Sequence, residues 1–180
     1  MTILYRSTEL TPGSGREIFG RAVPYGVTID NVLDSTGEWI RERFEYGSFN
    51  RSIRERGHKV KLLTQHDRRK LAVGKAVELR EEPDGLYSSF EVANTRDGDE
   101  LLELVRTGVI DSFSIGFQPV RDRREPDRVN GDLITRLEAK LHEVSAVNFP
   151  AYEDALIGGV RSELTIPRAV AERRLRLLEL

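Results

Sequence analysis

Apolar and polar residues alternate with a period of two through much of this 180-residue chain, and that pattern makes a β-sheet its frame. Successive side chains of a strand point to opposite faces, so alternation marks a sheet with one face on a core. The segment 109–120 puts Phe113, Ile115 and Phe117 on one face and Ser112, Ser114 and Gly116 on the other. The segment 133–147 sets Leu133, Leu137, Ala139 and Leu141 against Arg136, Glu138, Lys140 and His142. Strands are also expected at 16–27, more loosely up to Trp39 and Ile40, and at 58–66, where Val60, Leu62, Thr64 and His66 share a face. A hairpin is expected from 71–79 and 86–92 around Pro83-Asp84-Gly85. Two helices interrupt the strands, at 48–56 with Gly57 as a left-handed cap and at 97–107 with Gly108 as its stop. A charged loop is expected at 121–131, an irregular run after Pro150-Ala151, and a last helix at 168–180 opened by Pro167. The expected class is α+β, mostly β.

Composition narrows the chemistry. A chain of this length is expected to form one domain, here 1–157, followed by a C-terminal tail at 158–180. The absence of cysteine fits a reducing compartment and excludes thiol nucleophiles and thiolate metal sites. With 28 Lys and Arg against 30 Asp and Glu, the chain lacks the basic surplus of a nucleic-acid binder. Neither a signal-peptide-like start nor an apolar run of ~20 residues occurs, so a soluble protein retained where it is made is expected. The three histidines share no ligand-like spacing, and neither a metal nor a cofactor is expected.

Candidate chemistry rests on few side chains. His66 ends an inward-facing row, which suits either a partly buried structural histidine bonded to a neighbour or a ring held by packing with one edge in a cleft. The small, polar face of 109–120 combines a rigid strand with open space, which a serine nucleophile needs, and Gly116 leaves room for another backbone to approach. Alternation does not distinguish Ser112 from Ser114. Continuing the count along 133–147 places Glu143 on the apolar face, where a carboxylate requires a partner such as a histidine. A bulge turning Glu143 outward, or a structural pair with an arginine, satisfies the pattern equally well. His66, a serine and Glu143 are the residue types of a base, a nucleophile and an orienting acid.

At these residues the sequence resembles the caudovirus prohead serine protease family, the capsid-maturation peptidases of tailed phages. The strings that carry the resemblance occur in the family's order between Gly20 and Ile157. They are Phe44-Glu45-Tyr46-Gly47-Ser48-Phe49, Leu63-Thr64-Gln65-His66-Asp67, Val73-Gly74, Gly85-Leu86, Thr107-Gly108-Val109-Ile110-Asp111-Ser112-Phe113-Ser114-Ile115-Gly116-Phe117 and Leu141-His142-Glu143-Val144-Ser145-Ala146-Val147-Asn148-Phe149-Pro150-Ala151. Gln65 stands where many relatives carry asparagine. The resemblance implies His66 as general base, Ser114 rather than Ser112 as nucleophile, and Glu143 as the orienting member. The related herpesvirus assembly proteases use a second histidine there, which makes His142 a rival. Also implied are a herpesvirus-protease-like β-barrel flanked by helices and action inside the assembling procapsid in the bacterial host cytoplasm. The implied substrates are the major capsid protein's scaffolding segment, a separate scaffold, and the protease itself. A homo-oligomer is expected by analogy with the herpesvirus enzymes, with no membrane or nucleic-acid partner. The alternative is a non-catalytic assembly module of the same fold.

Overall fold

The computed structural model describes residues 15–33 and 37–161. Its strands are β1 (Glu17–Pro24), β2 (Ile29–Leu33), β3 (Trp39–Phe44), β4 (Lys61–Thr64), β5 (Gly74–Glu82), β6 (Gly85–Val92), β7 (Ser112–Glu125), β8 (Leu133–Val147) and β9 (Ile157–Arg161). Helix α1 (Asn50–Arg56) lies between β3 and β4, and α2 (Arg96–Arg106) between β6 and β7. The strands form one unclosed mixed sheet, ordered β2-β3-β8-β4-β5-β6-β1-β9, with β7 on β8. The α+β, mostly β expectation therefore holds. Among the described residues no helix is long and apolar enough to cross a membrane.

Strand β8 organises the sheet. β7 pairs antiparallel along nearly its whole length. On the opposite edge, β3 runs parallel to Leu133, Ile134, Thr135 and Arg136, and β4 runs parallel to Glu143, Val144, Ser145 and Ala146. The gap between these two ladders is filled by the start of α1. The Ala139 amide donates to the Ser48 carbonyl at 2.8 Å and the Leu141 amide to the Ser52 hydroxyl at 2.9 Å. Buried backbone donors are thereby satisfied where no strand is present.

The core is built from the faces that alternation marks. Phe44, Phe49, Leu62, Leu86, Phe90, Phe113 and Leu141 are fully buried, each such side chain stabilising the fold by about 1.5–3 kcal/mol. Helix α2 closes one end with Leu101, Leu102 and Val105, and its Thr95 cap accepts from the Gly98 amide at 3.2 Å.

Several expectations are corrected. Gly57 has φ −50 and ψ −41, so α1 passes into a 3₁₀ turn rather than a left-handed cap. The strand expected over 58–66 is confined to β4, because His58 lies in that 3₁₀ turn and both Gln65 and His66 adopt left-handed backbone. The expected loop at 121–131 is shorter than expected: β7 continues to Glu125, its charged residues lying on a part of the sheet exposed to water, and the loop begins only after it. The irregular run after Ala151 ends in β9, which pairs with β1. The helix expected at 168–180 lies outside the described residues.

Candidate active site

The site forms where β4 ends beside β8. After Thr64 the chain makes a turn in which Gln65 and His66 have φ of +54° and +56°, a region that costs a non-glycine residue about 1–3 kcal/mol. Four hydrogen bonds hold it there. The Gln65 amide donates to the Ala146 carbonyl at 3.0 Å and the Asp67 amide to Thr64 at 3.0 Å. The Gln65 side chain donates to Asn148 at 3.0 Å, and the His66 amide donates to the Ser145 hydroxyl at 3.1 Å. The turn swings the His66 ring over the face of β8 while leaving 41% of the side chain exposed.

Glu143 reaches that ring by a route that differs from simple counting. The β7/β8 register pairs Gly116 with Glu143 but Phe117 with Leu141, so His142 is the extra residue of a bulge. Leu141 and Val144 consequently both face the core, whereas Glu143 turns to the opposite face. The simple count that put Glu143 on the core face is thus overturned, and the alternative of a bulge turning it away is the one that forms. It is nevertheless buried, at 4% exposure. Its Oε1 lies 2.7 Å from His66 Nδ1, and its Oε2 accepts from the Ser145 hydroxyl at 2.8 Å. A buried carboxylate needs such partners.

Ser114 is on the same face, directly opposite Ser145 in the β7/β8 ladder and two residues before Gly116. Ser112 shares that face, but its buried hydroxyl donates to Asp111 at 2.7 Å, whereas Ser114 is only half-buried. Gly116 makes room for a side chain rather than a backbone, since a Cβ there would stand 2.3 Å from Glu143 Oε1.

The rival histidine points elsewhere. His142 Nδ1 lies 3.3 Å from Arg56 Nη1 of α1. Burial, with help from the Arg56, Lys140 and Arg68 charges, pushes its pKa down. His58 is exposed. Among the described residues, no group of three or more His, Cys, Asp or Glu side chains is placed to hold a metal ion.

The structure therefore brings His66 and Glu143 into contact and aligns Ser114 on the same face, one ladder step from Ser145. Sequence reasoning missed Ser145, although its place two residues after Glu143 on a strand was a usable signal.

The model for the caudovirus prohead serine protease family matches residues 11–166, most of the chain. The chain belongs to the caudovirus prohead serine protease family. The matched span includes all of β1 to β9 and hence His66, Ser114 and Glu143. Among solved structures, this prohead-protease chain is similar to the bacteriophage T4 capsid assembly protease, gp21, with TM-score 0.42 and 15% identity. That match covers 74% of this chain and 98% of the other. No curated protein matches the chain significantly.

Proposed function

We infer that this member of the family is an active serine endopeptidase in which His66 is the general base, Ser114 the nucleophile and Glu143 the orienting acid. The observation that carries the reading is the 2.7 Å contact between His66 Nδ1 and Glu143. With Nδ1–H donated to the carboxylate, the neutral ring presents its lone pair on Nε2. Nε2 takes the Ser114 proton as the Ser114 oxygen attacks the scissile carbonyl. The resulting imidazolium is stabilised by Glu143 and returns the proton to the leaving amine. Water, activated by the same ring, then hydrolyses the acyl-enzyme. The oxyanion requires donors, which backbone amides supply in this reading.

Family membership supports a capsid-assembly setting, and the substrates in this reading are the scaffolding segment of the major capsid protein or a separate scaffold, and the protease's own C-terminal tail, cut inside the procapsid in the host cytoplasm. Action as a homo-oligomer is part of this reading. So is a barrel-like closure of the sheet, supported by the Ser112–Leu156 and Tyr25–Phe44 bridges between segments that are not ladder neighbours.

Co-expression with a major capsid protein from the same source, followed by intact-mass spectrometry, tests the proposal. Wild type is expected to shorten the capsid protein or itself, and Ser114→Ala to leave both whole. If folded, co-assembled wild type leaves every chain intact, the reading fails and a non-catalytic assembly module replaces it.

A further inference from the structure

The most deeply buried polar group of the site is one to which the three-residue mechanism gives no task. Ser145 is completely buried. Its hydroxyl donates to Glu143 Oε2 at 2.8 Å and accepts from the His66 backbone amide at 3.1 Å. It therefore touches both the carboxylate and the main chain of the residue that the carboxylate orients. Its ladder partners are Leu63, on the strand leading into the His66 turn, and Ser114.

We propose that Ser145 is a positioning residue that fixes the Glu143 carboxylate against His66 Nδ1 and clamps the left-handed turn carrying the ring. The inference rests on the reading of His66 as general base and adds a fourth side chain to that machinery. A carboxylate on two rotatable carbons has several orientations. One of its oxygens is confined by Gly116, which leaves just enough space for it. The other is held by the Ser145 hydroxyl. The same hydroxyl satisfies the amide of a residue whose backbone conformation is disfavoured. Removing the oxygen would thus leave a buried carboxylate oxygen and a turn amide short of a partner together, and the group expected to move is the His66–Glu143 pair.

The test compares wild type with Ser145→Ala and with Ser145→Cys, which is close in shape but only a weak donor and acceptor. Two readouts are taken. The first is the proton resonance of His66 Nδ1–H in ¹⁵N-histidine-labelled protein, recorded on a Ser114→Ala background so that it does not depend on activity. The second is labelling of Ser114 by a fluorophosphonate probe, resolved into a maximal rate and a half-saturating concentration. The Nδ1–H signal is expected to broaden or vanish in both variants. The maximal labelling rate is expected to fall roughly tenfold or more, as for loss of one hydrogen bond to a charged group, with half-saturation unchanged within about twofold. If either folded variant keeps both the Nδ1–H signal and the wild-type labelling rate, the inference is overturned. If wild type itself is not labelled, the reading of Ser114 as nucleophile fails instead, while the resonance still decides whether Ser145 holds the pair together.

Discussion

Gly116 occupies a position where a methyl group and a carboxylate oxygen would compete for the same space. The atoms that a Cβ would strike belong to the Glu143 side chain, Oε1 at 2.3 Å and Cδ at 3.0 Å, so the clash is relieved by turning that side chain away rather than by moving backbone. Gly116→Ala is expected to lose roughly tenfold or more in probe labelling, because Glu143 leaves His66, and to melt several degrees lower as a buried carboxylate gives up its partners. A large fall in melting temperature with unchanged labelling would contradict this account. Glu143→Gln keeps the shape and removes the charge that stabilises the imidazolium. Labelling of Ser114 is expected to slow by roughly 100-fold or more, read by the same assay. At this scale the residue types were legible in the sequence, since His66, Ser114 and Glu143 stand in recognisable strings. The face of Glu143 was not legible. Alternation carries no record of the bulge at His142, which depends on how β7 and β8 slip past one another.

The boundaries of elements divide along similar lines. The sequence reading of 133–147 coincides with β8 because fifteen residues without glycine or proline keep an extended pattern to the end. The loop expected over 121–131 began too early because charge was taken as a sign of a turn, while Arg121, Asp122, Arg123 and Arg124 pair with β8. Nor does the sequence reveal that α1 substitutes for a missing strand beside β8. That substitution makes Ser52 important. Ser52→Ala would leave the Leu141 amide buried without its acceptor, costing about 1–3 kcal/mol. Thermal denaturation should show a fall on the order of 3–10 °C for a chain of this length. The true loop after β7 has its own acid sensitivity. Asp127 accepts from the Val129 and Asn130 amides at 2.9 and 3.1 Å and from the Asn130 side chain at 2.9 Å. These bonds, led by the Asn130 side chain, hold its pKa down to about 2. A depressed carboxyl contributes stability that is fully present above its unfolded value, near 4, and is lost as pH falls through its folded value. Asp127→Asn should therefore flatten the acid limb of stability between about pH 4 and pH 2, measured by denaturant titration across that window.

Across the whole molecule, the segment around Leu156 ties distant strands together. The Phe113 amide donates to Ala155 at 2.7 Å, the Ile157 amide to Asp111 at 2.7 Å, and the Arg21 amide to Leu156 at 3.0 Å. One short run of chain thus joins β1 to the start of β7, the strand that carries Ser114. β9 continues from it along β1, with Ile157 and Val160 packed on the core. The approach is close enough that a Cβ on Gly20 would stand 2.2 Å from the Leu156 carbonyl oxygen, so only glycine fits there. The sequence Ile157-Gly158-Gly159-Val160-Arg161 hid this strand, because paired glycines read as irregular chain and the evidence for pairing lies far away in β1. The consequence concerns where a self-cleaving protease can cut its own tail and stay folded. Removing 158–180 would take away most of β9, with Val160, and expose β1 as an edge. Ending the chain after Arg161 would leave every described ladder intact. A chain truncated after Arg161 is expected to melt within a few degrees of full length. One truncated after Ile157 should melt roughly 5–10 °C lower and label Ser114 more slowly, because β1, which packs against β7, loses its edge partner. Any self-processed product found by intact-mass spectrometry should accordingly retain Arg161. A stable, fully active product ending at Ile157 would mean that β9 is dispensable and that β1 and β7 are held by the 155–157 contacts alone.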